Sequence, residues 1–131
     1  FGAGKWNGAG GKLEGNETFE ENAVREVKEE LGVEVAYKDL DKAAEIMFNF
    51  KDGKQVLACY YLVRHWQGEP SESEEMAPKV FKYSEGPYGQ MWVGDVLWLP
   101  NILEGEKNQG EIFFNQDAAA VESHTLRPAS W

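Results

Sequence analysis

An α/β fold is what this sequence predicts, and three observations carry that expectation. Residues 18–32 are bounded and patterned as an amphipathic helix, several short runs rich in β-branched and aromatic residues lie around it, and two of those runs are separated by a good hairpin turn. The chain of 131 residues is 42% hydrophobic, which suits one compact domain over 1–131 with a real core better than a disordered or fibrous segment.

The elements follow in order. Residues 1–12 carry Gly2, Gly4, Gly8, Gly10 and Gly11, and read as loop and tight turn around an irregular strand. Thr18 followed by Glu21 is a capping box; Ala23, Val24, Val27 and Leu31 then recur at helical spacing until Gly32 ends the pattern. Residues 33–37, 44–50 and 55–65 are β-rich, and Lys51-Asp52-Gly53-Lys54 between the last two makes them an expected antiparallel pair. Residues 68–78 form a polar, acidic loop, 80–83 a further strand, 95–103 a short helix despite Pro100, and 112–114 a strand. The stretch 118–131 is weakly patterned and is expected to be a flexible tail.

Charge and composition exclude several roles. A formal net charge of −10 repels a phosphate backbone, so no polymeric nucleic acid is expected as a partner. No apolar run has the length of a membrane span and no secretory leader opens the chain, so no membrane partner and a cytoplasmic setting are expected. The single cysteine, Cys59, lies in an apolar run and reads as a buried structural thiol. An acidic protein can still bind a nucleoside triphosphate where carboxylates recruit divalent cations.

The chemistry concentrates in residues 11–33. Gly11 is followed after five residues by Glu17, and after seven more by Arg25-Glu26-Val27-Lys28-Glu29-Glu30-Leu31-Gly32-Val33. At about 100° per residue, Glu26, Glu29 and Glu30 occupy an arc of roughly 100° beside the stripe of Ala23, Val27 and Leu31. Carboxylates so placed repel one another unless a cation neutralises them, and an all-oxygen set favours Mg²⁺, with Mn²⁺ as substitute. Arg25 is expected to orient a glutamate through a bidentate pair. Such charge runs usually mark only a solvated helix face, but a solvated face requires neither Gly11 nor Glu17 at a fixed distance.

This spacing resembles the Nudix box at every fixed position. The segments 1–12, 68–76 and 91–100 narrow the likeness to the MutT-like branch that hydrolyses oxidised purine nucleoside triphosphates, over nearly all of residues 1–116. The resemblance implies an α/β/α sandwich around a mixed, mainly antiparallel curved sheet. It also implies hydrolysis of 8-oxo-dGTP or 2-hydroxy-dATP to the monophosphate and pyrophosphate, by a chain expected to be a monomer, with a dimer as the alternative. By position, it implies that the Gly10 carbonyl, Glu26, Glu29, Glu30 and Glu75 coordinate metal and activate water, with Arg25 alongside and Glu30 the most indispensable. Lys12, Asn7, Trp92 and Asp95 are implied to hold the substrate, with Phe48, Phe50 and Trp98 as an aromatic wall and Phe1 nearby.

Two departures from the branch stand out. Trp92-Val93-Gly94-Asp95 has Gly94 where the branch carries a second base-reading carboxylate, and no counterpart of the family's opening strand precedes Phe1. The first keeps open ADP-ribose, a dinucleoside polyphosphate or an unmodified nucleotide as substrate, and a non-catalytic nucleotide-binding module as a different class. The second leads to the expectation of either an N-terminally shortened domain, its N-terminal strand missing, or a sheet completed in another way.

Overall fold

The computed structural model describes residues 12–70 and 94–131. Phe1, Asn7, Gly10, Gly11, Glu75 and Trp92, and the strand expected over 80–83, lie outside the described residues. The chain divides into two compact units, of which the described parts are 12–41 with 61–70, and 42–60 with 94–131. Each is taken by itself.

The first unit is organised by helix α1, Phe19–Leu31. Its start is built as the spacing predicts: the Glu21 N–H donates to Thr18 Oγ1 at 3.1 Å while the Thr18 N–H donates to Glu21 Oε1 at 3.0 Å. Gly32 ends it in the left-handed region, φ 75°, its N–H donating to the Lys28 carbonyl at 2.9 Å. The buried stripe, however, is polar. Asn22, Glu26 and Glu30 are the buried residues of α1, whereas Ala23, Val27 and Leu31, expected to lie deepest, are half-buried.

The strand expected over 33–37 contracts to one antiparallel bridge, in which Glu34 and Gln67 exchange both backbone hydrogen bonds. Val33 and Val35 are buried as alternation requires, but Tyr37–Asp39 then turns into a 3₁₀ helix, with the Asp39 N–H on the Ala36 carbonyl, and no ladder can continue.

The second unit holds most of a four-stranded sheet in the order β2-β1-β3-β4, from β1 (Leu40–Asn49), β2 (Gln55–Val63), β3 (Asn108–Phe114) and β4 (Val121–Pro128). The β1–β2 connection is the expected hairpin, closed by the Phe50 N–H on the Lys54 carbonyl at 2.9 Å, and so short a link between neighbours makes them antiparallel. β1 pairs in parallel with β3, Ile46 opposite Gly110 and Phe48 opposite Ile112, and β3 pairs antiparallel with β4. One face carries Ala44, Ile46, Ile112 and Phe114, all buried. The other carries Glu45, Met47, Gln109, Glu111 and Arg127, which with Leu57 line a shallow depression of about 240 Å³. A 3₁₀ turn, Asp95–Leu97, leads into helix α2, Leu99–Leu103, and Pro100 is tolerated because it sits in the first turn, where its missing N–H has no partner to lose.

The tail expected to be flexible instead contains β4. Its side chains alternate too weakly to announce a strand, yet its backbone pairs with all of β3, and the chain beyond is held by the Ala129 N–H on the Lys107 carbonyl and by Lys42 Nζ 4.5 Å above the Trp131 ring. Gly110 makes the pairing possible: at φ 155°, a Cβ there would sit 1.9 Å from the Thr125 carbonyl oxygen.

Candidate active site

In the helical unit the box residues form a clamp. Arg25 Nε donates to Glu17 Oε2 at 2.7 Å and Nη2 to Glu17 Oε1 at 3.0 Å, the bidentate pair expected of this arginine. The remaining nitrogen, Nη1, lies 3.0 Å from both Glu26 Oε1 and Glu29 Oε2. One guanidinium thus holds Glu17, eight residues upstream of Arg25, to two carboxylates of the box. Its hydrogen bonds are the largest influence on Glu17, whose carboxyl is held down to about 2 from an ordinary 4.5. Burial opposes that shift, and the Asn22 amide and Glu14 N–H add to it. The same pairing, above all with Glu17, raises the already high basicity of Arg25.

The three box glutamates are not equivalent. Glu26 and Glu30 are buried on the helix stripe, while the Glu29 side chain is 57% exposed and grips Arg25 from outside. Two carboxylates buried one turn apart are costly unless cations compensate them, and Arg25 does so for Glu26. Among the described residues no three His, Cys, Asp or Glu side chains converge as ligands of one ion. The donor chemistry nonetheless fits a hard divalent cation: three carboxylates within five residues of one helix, all oxygen donors, two of them buried. Lys12 is placed through its main chain, its carbonyl accepting from Asn22 Nδ2 at 2.9 Å and from Arg25 Nη2 at 3.4 Å.

The sheet unit gathers aromatic rings. Phe114 stacks on Phe48, ring centroids 5.8 Å apart and 10° between planes, and meets Phe50 at 5.1 Å. Trp98, expected in the same wall, pairs instead with Tyr60 at 4.2 Å. Trp98 is 2% exposed, and its Nε1 has no hydrogen-bond partner among the described residues. Asp95, also buried, opens the 3₁₀ turn. Burial pushes the Tyr60 hydroxyl up, with smaller contributions from Asp95 and then Cys59, so it stays protonated at neutral pH. Gly94 faces an apolar wall, and a Cβ there would lie 3.4 Å from Ile112 Cδ1 and 3.8 Å from Phe114 Cε1.

Three residues of these clusters escaped the sequence reading. Phe114 and Tyr60 were legible only as strand residues, since nothing in their spacing announces a ring partner across the sheet. Asn22 carried a faint signal, a polar residue at i−4 from Glu26 on a helix whose apolar pattern drew attention to its neighbours.

The chain is similar to several known proteins. The family described as NUDIX domain matches residues 1–101. The oxidized purine nucleoside triphosphate hydrolase of Mus musculus is 38% identical over 128 residues, covering 97% of this chain and 80% of the mouse protein. Its counterpart in Danio rerio is 39% identical over 123 residues, covering 93% and 78%. The crystal structure of a MutT mutator protein from Bacillus halodurans superposes with a TM-score of 0.79 over 94% of this chain and 82% of that one, at 22% identity, which establishes the shared fold.

Proposed function

The chain belongs to the Nudix family, and from that premise we propose that it is a Mg²⁺-dependent nucleoside triphosphate pyrophosphohydrolase whose substrates are oxidised purine nucleotides such as 8-oxo-dGTP. The observation that carries this reading is the clamp on α1, in which Arg25 binds Glu17 bidentately and Glu26 and Glu29 through its third nitrogen, beside buried Glu30. A structural helix has no use for carboxylates buried at that spacing. The names of the mouse and zebrafish relatives supply the substrate class.

Glu26, Glu29 and Glu30 would hold the ion, with the Gly10 carbonyl and Glu75 completing its ligands. A bound divalent cation would neutralise polyphosphate charge and make an attacking water acidic. Arg25 keeps Glu26 and Glu29 in fixed rotamers, so their negative charge is in place before substrate arrives. Glu30, buried and one turn beyond Glu26, is the carboxylate on which turnover depends. Stacking and hydrogen bonding to the purine fall to Asn7, Phe48, Phe50, Trp92, Asp95 and Trp98. Removal of oxidised nucleotides from a cytoplasmic pool, by a monomer, completes the proposal.

Gly94 favours a second reading, hydrolysis of a different nucleoside diphosphate derivative, because only Asp95 of the adjacent acidic pair is present. The two are separated by pyrophosphate release with Mg²⁺ from 8-oxo-dGTP, 2-hydroxy-dATP, dGTP and dATP in parallel, with ADP-ribose as a further substrate. An oxidised purine triphosphate should be preferred, and Asp95→Asn should erode that preference by about tenfold while leaving ordinary nucleotides nearly unchanged. Equal or better turnover of dGTP or ADP-ribose would support the second reading, and the absence of turnover on all of them a binding module.

A further inference from the structure

From the hydrogen bonds around the start of α1 we infer that Asn22 is a positioning residue for the box carboxylates, acting through Glu17 and Arg25; this rests on the hydrolase reading above. Asn22 is 8% exposed, and among the described residues its Nδ2 donates two hydrogen bonds, to the Lys12 carbonyl at 2.9 Å and to Glu17 Oε1 at 3.1 Å. A carbonyl and a carboxylate only accept, so the orientation of the amide is fixed by its partners, and both of its N–H groups are spent on them. Neither partner is on α1 itself.

The consequence is geometric. The Arg25–Glu17 fork fixes two contacts, Nε on Oε2 and Nη2 on Oε1, both made from the guanidinium side. Asn22 donates to the same oxygen, Oε1, that accepts from Arg25 Nη2 and from the Glu14 N–H at 3.2 Å, and it does so from three residues earlier on the helix. Asn22 and Arg25 also share the Lys12 carbonyl, so the segment 12–17 is pinned to α1 at two points by the same two side chains. With Glu17 fixed in this way the plane of Arg25 is fixed, and with it the position of Nη1, from which Glu26 and Glu29 are both held at 3.0 Å. Asn22 therefore reaches the proposed metal-binding carboxylates without touching them, and an apolar residue of equal size in its place would fill the space while releasing the clamp.

The test compares Asn22→Leu, Asn22→Asp, Glu17→Gln and the double variant Asn22→Leu/Glu17→Gln by steady-state pyrophosphate release and by Mn²⁺ binding, read from the electron paramagnetic resonance of the free ion. Asn22→Leu should lower kcat by about 10- to 100-fold and weaken Mn²⁺ binding by about tenfold, with KM for the nucleotide within about twofold of wild type. Asn22→Asp, the same size but facing two acceptors with a third, should be at least as impaired. The double variant should be no worse than the more damaged single variant, because both changes release the same carboxylate. If Asn22→Leu fails to fold, Asn22→Ser, which keeps one donor, takes its place with an expected kcat loss of about threefold. Unchanged kcat and Mn²⁺ affinity in a folded Asn22 variant, or fully additive losses in the double variant, would overturn the inference while wild-type activity leaves the hydrolase reading standing. A wild type that cleaves no triphosphate would sink the hydrolase reading instead, and Mn²⁺ affinity alone would then decide for Asn22; absence of Mn²⁺ binding to the wild type would remove both.

Discussion

Helix α1 and the covered face of the sheet bury opposite kinds of side chain. On α1 the covered stripe is Asn22, Glu26 and Glu30, tied at Glu26 to a guanidinium; in the sheet it is Ala44, Ile46, Ile112 and Phe114, with Ile46 and Ile112 fully buried. Burial of apolar surface stabilises at about 25 cal/mol per Å², whereas a buried carboxylate costs free energy that its partners at best offset. The sheet is therefore where this chain gains stability, and α1 is where it spends some of it on holding negative charge in place. Substitutions in the two units should separate turnover from stability.

The largest expected effect is on α1. Glu30→Gln keeps the shape of the side chain and removes the charge, so pyrophosphate release should fall by about 10³-fold or more. Gln keeps the size and an acceptor oxygen of the side chain, so the variant should remain folded. A variant with near-normal turnover would break the contrast between the units, as would one that lost its activity by unfolding.

The converse belongs to the sheet. Ile112→Ala deletes a fully buried side chain from β3 and should destabilise the fold by about 2–5 kcal/mol, read by chemical denaturation, while kcat per folded molecule changes little. Gly110→Ala, two residues away, acts through the backbone: its Cβ would overlap the Thr125 carbonyl oxygen, and relief requires β4 to separate from β3, at about 2–3 kcal/mol. If Gly110→Ala instead melts with the wild type, the β3–β4 ladder contributes little to the stability of its unit.

The same contrast explains what the amino-acid sequence discloses. The boundaries of α1 depend on hydrogen bonds among residues three and four apart, so Thr18, Glu21 and Gly32 announce them directly. That Arg25 grips a glutamate bidentately is legible from the box, though not that the glutamate is Glu17, and the 51–54 turn is legible because its residues serve one geometry. Non-local determinants left weaker traces. β4 has mostly exposed side chains and hence no apolar face, and its position is set by pairing with β3 rather than by its own pattern. Phe114 lies against Phe48 and Phe50 because of strand register, and Trp98 meets Tyr60 from a connection outside any strand; composition encodes neither. The polar stripe of α1 was hidden by the half-buried apolar positions beside it: period gives the helix, but burial decides which of two adjacent stripes lies deeper.

The smallest effect expected concerns acid. Glu17 is held down to about 2 in the folded chain against an ordinary 4.5, through Arg25 first and with help from Asn22, so its pairing favours the folded state only while the carboxyl is ionised. That contribution is complete above about pH 4.5, where folded and unfolded chains alike carry the charge. It declines as the pH falls, because the unfolded chain takes up a proton first, and is gone below about 2, where the folded form is protonated too. Stability measured between those limits should therefore fall less steeply in Glu17→Gln than in the wild type, and the two curves should run parallel above pH 5. Parallel curves throughout would mean that Glu17 titrates alike in both states, so that the Arg25 clamp orders the box carboxylates without contributing to folding.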